Sequence, residues 1–427
     1  VRRVGVLLVG VLTTLLAACS GGAPAAPPPA FDPPTAFGPS SGTLLRGTSS
    51  SLTGSYGARP ELPVALDGTT VWFADSGGLS RADSTGATVA VPLPPDRWVD
   101  GAPRPVPSAG LVVAGAATTV PGSGTTPPGL ALELLAVPRS QAGGPNPTLA
   151  WTVGAPLPWS EAPRSVRTAV VGVAAAGDGR RVAVVTASTG THRSSVAVDL
   201  DARRVLWVAD GVLAGAVLDG RAPDGTPVAG TTPVGAPVVV GAAVPPGGGT
   251  GYSPSSVVGL DVLTGARRWS SDDGSTALSV HRAGPSTVTV AGRRATSARA
   301  FLTVYDAEGG SRNAVDLGTA TAPPECTWDE AATAVCSGSN RTFALDAPTG
   351  AVLWSLPAAG RVAPAVTTAW HGAVYGTTVN GPVVVDARTG RDRNPAPGAA
   401  PVVVDAYLGV GTGSGLLGGV VVTPATG

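Results

Sequence analysis

The chain has 427 residues, no net charge at pH 7 and only 13% charged residues. That length exceeds one ordinary compact domain, and the missing basic excess argues against nucleic acid as a partner. The 60 Gly and 42 Pro approach the composition of disordered chains, but Val-rich apolar runs recur as far as residues 420–422 and predict a folded body.

At the N-terminus, Arg2 and Arg3 precede an apolar run over 4–16, too short to span a bilayer comfortably. It ends in Leu16-Ala17-Ala18-Cys19, which resembles the bacterial lipoprotein box. The resemblance implies a signal peptide over 1–18 and a diacylglycerol on the Cys19 thiol. The protein would then sit on the extracytoplasmic side of a bacterial cell membrane, anchored by lipid and not by a spanning helix. The alternative is an ordinary secretory signal with a chance cysteine. Residues 20–42 carry seven Pro and four Gly without apolar periodicity. The span 19–42 therefore reads as a tether, partly polyproline II, ahead of a folded region over 43–427.

Within that region a pattern returns. An apolar run ends in Asp, a turn rich in Thr-Gly follows, and a Trp closes the unit. The anchors in chain order are Asp83, Val137 in a degenerate copy, Asp199, Asp261, Asp306, Asp346, Asp386 and Thr423. The interval from Asp346 to Asp386 sets a minimal repeat of 40 residues. Each unit holds four short Val-rich runs broken by Gly, Asn and Pro, which read as strands and tight turns. Eight such units predict an all-β, eight-bladed β-propeller, with seven blades as the alternative if one degenerate unit is no true blade.

The turn chemistry explains the motif. An Asp carboxylate accepts backbone N–H groups two residues on, and Gly supplies positive φ for the hairpin. The Trp then lies on the outermost strand, its ring against the neighbouring blade and its N–H seeking an acceptor. Trp151, Trp207, Trp269 and Trp354 take this place, with Asp199, Asp261 and Asp346 as the clearest anchors. Val91, Ala314 and Asn394 stand there in other units, where weaker contacts are expected. The last unit stops before a fourth strand, so 42–50 is expected to supply it and close the ring.

The pattern A-x-D-x-x-T-G-x-x-x-W resembles the repeat of the pyrroloquinoline-quinone-like (PQQ-like) propellers. That family includes quinoprotein alcohol dehydrogenases and the envelope lipoprotein of the Gram-negative barrel-assembly machine. The resemblance covers about 55–427 and implies a disc of radial blades. The enzymes of that family use a vicinal Cys-Cys pair and a set of calcium ligands, for which this sequence has no matching positions.

Cys326 and Cys336 lie ten apart with a polar turn between them and could face each other across a hairpin, so a disulfide is expected in an exported chain, with two buried thiols as the alternative. His192, His281 and His371 fall in three different units. No nucleophile elbow, phosphate loop or zinc motif occurs. The sequence therefore predicts no enzyme, no metal and no cofactor.

Four units carry long connections between second and third strands, at 118–129, 186–195, 245–256 and 291–300. They emerge on one face and offer His192, Arg193, Tyr252, Arg293, Arg294 and Arg299 as a candidate binding rim. The expectation is a monomeric scaffold that binds another envelope protein. Small-ligand or quinone-cofactor binding in the central channel, and a sensor ectodomain needing a partner, are the alternatives.

Overall fold

A computed structural model describes residues 28–45, 62–75, 78–83, 86–139, 147–223, 225–228, 234–244, 255–338, 341–413 and 419–427. The expected signal, Cys19 and Tyr252 lie outside these residues. Among them the structure is built from antiparallel β-strands, with 3₁₀ turns at Pro107–Ala109 and Pro163–Ser165. Among the described residues no helix is long and apolar enough to cross a membrane.

The strands form consecutive meanders. Units 1, 3, 6 and 7 are four-stranded sheets over 64–91, 167–210, 325–356 and 365–394. Unit 2, over 97–157, has its innermost position shared by the short strands Arg97–Trp98 and Arg104–Val106. One seven-stranded sheet covers 212–315. Its 16-residue strand Arg267–Arg282 pairs with Ser255–Asp261 through its first half and with Thr287–Arg294 through its second. That strand is the outermost of unit 4 and the innermost of unit 5. Unit 8 contains Val403–Val404, Leu408–Thr412 and Val420–Pro424, and its outermost strand is Gly42–Leu45 from the N-terminus. Among the described residues the strand pairing thus groups the strands into eight consecutive units, one with five strands and two sharing a strand.

Apolar clusters sit between neighbouring units. Trp72 of unit 1 packs with Val112 and Leu135 of unit 2. Val184 of unit 3 meets Val258 of unit 4, and Val335 of unit 6 meets Val366 of unit 7. Val410 and Val422 of unit 8 pack on Val71 and Phe73 of unit 1. Last therefore packs on first, and the sheets form a closed ring, the architecture of a β-propeller.

Closure follows the expected route over part of its length. Gly42 pairs with Val422, Thr43 with Val421 and Leu45 with Val420, while 46–50 lie outside the described residues. The span 31–41 differs from a free tether. Phe31 N–H donates to the Ala406 carbonyl at 2.8 Å, Thr35 N–H to Gly427 at 2.5 Å and Phe37 N–H to Pro397 at 2.7 Å. The Tyr375 hydroxyl donates to the Pro34 carbonyl at 2.8 Å. Phe37 is 6% exposed and meets the Tyr375 ring edge-on at 5.9 Å. Pro and Gly are frequent in this stretch, but Phe37 has apolar area to bury between units 7 and 8, and that burial fixes the backbone around it.

The register also moves several motif positions. Arg139 N–H donates to Gly110 and Ala425 N–H to Tyr407, as Ala387 N–H does to Gly372 in unit 7. The anchors of units 2 and 8 are therefore Pro138 and Pro424, each one residue after Val137 and Thr423. Proline has no N–H to close the turn that Asp261, Asp346 and Asp386 close. In units 1 and 5 shorter turns place Val89, opposite Arg81, and Asn313, opposite Val304, where Val91 and Ala314 were expected.

Candidate functional site: the loop face and the channel mouth

The repeated Asp and Trp build the frame. Asp261 Oδ1 accepts the N–H groups of Leu263 at 3.0 Å and Thr264 at 2.9 Å, and Gly265 turns the chain at φ +70°. Asp199 accepts from Asp201 and Ala202 in the same manner, and Asp346 accepts the Thr349 hydroxyl at 2.8 Å. Each Trp then reaches the next unit. Trp207 Nε1 donates to the Val262 carbonyl at 2.9 Å, Trp269 to Ala307 at 2.9 Å and Trp354 to Ala387 at 2.7 Å. All three acceptors immediately follow the neighbour's anchor Asp. Trp151 sits opposite Ala136, the matching register once Pro138 is the anchor, and packs against the cluster shared by units 2 and 3. These residues are structural staples. Cys326 and Cys336 pair across the first two strands of unit 6 and form a disulfide with Cα atoms 4.0 Å apart.

Strand alternation puts turns between first and second strands, and between third and fourth, on one face of the ring. The second-to-third turns and the connections between units lie on the other, the loop face. There His192 Nδ1 lies 2.7 Å from Glu161, and its ring stacks on Trp159 at 5.4 Å. Trp159 Nε1 in turn donates to Asp210 at 3.3 Å. His192 is thus part of a cap over units 2 and 3. Burial lowers the pKa of the half-buried Arg193. Arg294 lies over the Phe301 ring at 5.0 Å, and Arg299 is exposed at the tip of the same hairpin. The rim residues therefore fall into two separate patches, one on units 2 and 3 and one on unit 5.

Between units 5 and 6 the loop face opens into a cleft of about 370 Å³ lined by Leu317, Ala320, Ala322, Pro324, Arg341 and Phe343. Arg341 lies over the Phe343 ring at 4.9 Å and donates to the Asp316 carbonyl at 3.1 Å. The cleft adjoins the 291–300 hairpin, because Ala300 N–H donates to the Ala320 carbonyl at 2.9 Å. Its lining is a near-even mix of polar and apolar surface, Thr319 and Thr321 included, with one cation at its rim.

The opposite face holds the second feature. Every unit enters the ring by its innermost strand, so the ends of these strands gather around one mouth of the central channel. Asp219, Arg282 and Glu330 lie at such ends in units 4, 5 and 6, and Arg104 joins them from the innermost strand of unit 2. Arg282 Nη2 donates to Asp219 at 3.3 Å and also to the Arg221 carbonyl. Arg282 Nε donates to Gly284 at 3.1 Å, and its guanidinium lies 4.8 Å over the Trp328 ring. Burial pushes Arg282 down to about 10, against the pull of Asp219. Burial likewise lowers Arg104 and raises Asp219, the Asp219 shift being opposed by Arg282. Glu330 and Asp219 are the carboxylates whose charge acts on Arg104. No cluster of three metal-ligating side chains occurs among the described residues.

Sequence patterning did not single out Arg104, Asp219, Arg282 or Glu330. The local trace was a charged residue at or just beyond the end of a first strand, as in 218–221 (LDGR) and 328–331 (WDEA). Such residues also serve plain turns.

No protein-family model matches the sequence, and no curated protein matches it. Among solved structures, the Dos1 propeller is 11% identical with a TM-score of 0.46 and coverage of 74% of each chain. Kuenenia stuttgartiensis hydrazine synthase is 12% identical with a TM-score of 0.41, over 78% of this chain and 98% of that one. Dihydro-heme d1 dehydrogenase NirN is 17% identical with a TM-score of 0.41, over 79% of this chain and 65% of that one.

Proposed function

We propose that this chain is a lipid-anchored, extracytoplasmic propeller of PQQ-like repeats whose loop face binds another protein of the cell envelope, without catalysis of its own. One observation carries the reading: the N-terminal segment docks on the face opposite the long loops. Phe31 is bound at Ala406, and Asp32 meets His371, both in first-to-second-strand turns of units 8 and 7. A lipid on Cys19, only 12 residues before Phe31, holds the body within roughly 40 Å of the membrane. The docked face then points toward the lipid and the loop face points away, free to receive a partner. The Cys326–Cys336 bond suits an oxidising compartment.

The cleft beside Arg341 and Phe343 is the docking point this reading favours, since a lining of mixed polar and apolar surface with a cationic rim suits a peptide segment carrying an apolar anchor and an acidic neighbour. The test is in-cell crosslinking of the tagged full chain followed by mass spectrometry, with Cys19→Ala as control. A discrete partner crosslinked through 118–129, 186–195 or 291–300, and lost in the control, is the expected result. A partner that maps to the docked face, or one retained at full yield in Cys19→Ala, refutes it.

A further inference from the structure

The channel mouth contains a cation whose hydrogen-bonding capacity the protein leaves largely unused. A guanidinium has five N–H donors. Among the described residues, Arg104 makes one hydrogen bond, from Nη1 to the Val171 carbonyl at 3.3 Å. Arg282, on which the Arg104 charge acts, is engaged quite differently. It holds Asp219 and the carbonyls of Arg221 and Gly284, and stacks on Trp328. Arg282 is therefore a structural cation, fixed on the wall. Arg104 is surrounded by the ring yet half-buried, not sealed. That combination describes a side chain lining a lumen.

Two further facts point the free donors at a ligand. The ion pair of Asp219 is made with Arg282 and not with Arg104. In addition, the wall that carries Arg104 is rigid. Its strand pairs with Leu111–Val120 at Val112 and Val113, which are fully buried, so the guanidinium is presented from a fixed backbone. A planar fork of donors at an enclosed site, with a second cation nearby, is the arrangement that recognises oxyanions.

We infer that the channel mouth binds a small oxyanion, a carboxylate or a phosphate group, through the Nε and Nη2 donors of Arg104, with Arg282 adding charge from the wall. Glu330 and Asp219 keep the empty mouth near neutrality, so the site selects compact anions over polyanions such as nucleic acid. This site is separate from the loop face and does not depend on the partner proposed there.

The experiment is a calorimetric titration of the full mature chain, made soluble by Cys19→Ala, with sodium phosphate and separately with sodium acetate, against sodium chloride at matched ionic strength. The expected result is a saturable isotherm with at least one of the two oxyanions and none with chloride. Phosphate alone would identify a phosphate ligand, and acetate alone a carboxylate. Arg104→Gln is expected to weaken binding by roughly 10- to 100-fold, Arg104→Lys to weaken it less, and Arg391→Gln, at an exposed turn of unit 7, to leave it unchanged. If Arg104→Gln does not fold, the Arg104 Nε–Hε resonance of the otherwise unaltered chain supplies the reading, and it should shift along the same isotherm. Absence of saturation with both anions, or unchanged affinity in a folded Arg104→Gln protein, overturns the inference.

Discussion

Asn394 Nδ2 donates to the Thr35 carbonyl at 2.9 Å, in the register position where Trp354 of the preceding unit donates to Ala387 at 2.7 Å. At the seam between units 7 and 8 the N-terminal segment thus takes over the work of a staple. Phe37 provides the aromatic area that the short Asn394 side chain does not, and Tyr375 holds Pro34. Phe37→Ala should lower stability by about 3 kcal/mol and Tyr375→Phe by about 1 kcal/mol, read from urea unfolding midpoints. Deleting 28–45 should lower the midpoint further, because the outer strand of unit 8 goes with it. A midpoint that barely moves would mean the segment is a tether after all.

The staples make a second prediction. A Cβ on Gly390 would lie 2.7 Å from the Trp354 ring, and Gly390 has φ +66°. Gly390→Ala should therefore combine backbone strain with a clash and cost roughly 2–4 kcal/mol. Gly124→Ala is the control, since Gly124 has φ +56° but nothing within 4 Å of an added Cβ. Equal losses in thermal denaturation of the two variants would mean that the Trp contact contributes nothing.

The Cys326–Cys336 bond closes a loop of sequence separation 10, which limits its entropic contribution to about 3 kcal/mol. The double variant Cys326→Ala and Cys336→Ala should lose about that much, with a native β-sheet spectrum retained, because both positions are buried apolar sites in the cluster between units 5 and 6. Loss of the spectrum would show that unit 6 needs the crosslink to fold.

Asp405, in the first turn of unit 8, has its pKa raised to about 6, chiefly by burial, with the Asp67 charge adding to it. A carboxyl raised in the folded state favours folding while protonated, and this contribution is lost as pH rises from the unfolded value of 3.8 through about 6. Asp405→Asn keeps an acceptor for the N–H groups of Tyr407 and Leu408 and removes the charge. It should be more stable than the parent by about 1–3 kcal/mol at pH 7.5, with the advantage gone near pH 4. Urea titrations at the two pH values check this; a pH-independent difference would assign the effect to packing instead.

The repeat was legible because its chemistry is local. Asp261, Thr264 and Gly265 sit within a few residues of one another, and Asx turns need little from the rest of the chain. The closing strand was legible for a different reason. A four-stranded unit one strand short requires a donor, and the apolar residues after 42 were the segment available. Register was less legible. Val137 and Pro138 both sit at the end of an apolar run, and the pairing of the folded strands separates them, through the Arg139-to-Gly110 hydrogen bond and Pro138 opposite Leu111. In unit 5, Asn313 rather than Ala314 faces Val304 because the turn after Asp306 is one residue shorter.

By itself, the sequence determined a chain of antiparallel four-stranded units stapled by Trp, since turn residues and alternating Val runs act at short range. Tertiary structure alone decided two things. It docked 31–41 in the seam between units 7 and 8, where Phe37 meets Tyr375 across 338 positions of sequence. It also gathered Arg104, Asp219, Arg282 and Glu330 from four units into one channel mouth. Neither set of neighbours exists until the ring closes, and no periodicity within a unit records which side chains closure will bring together.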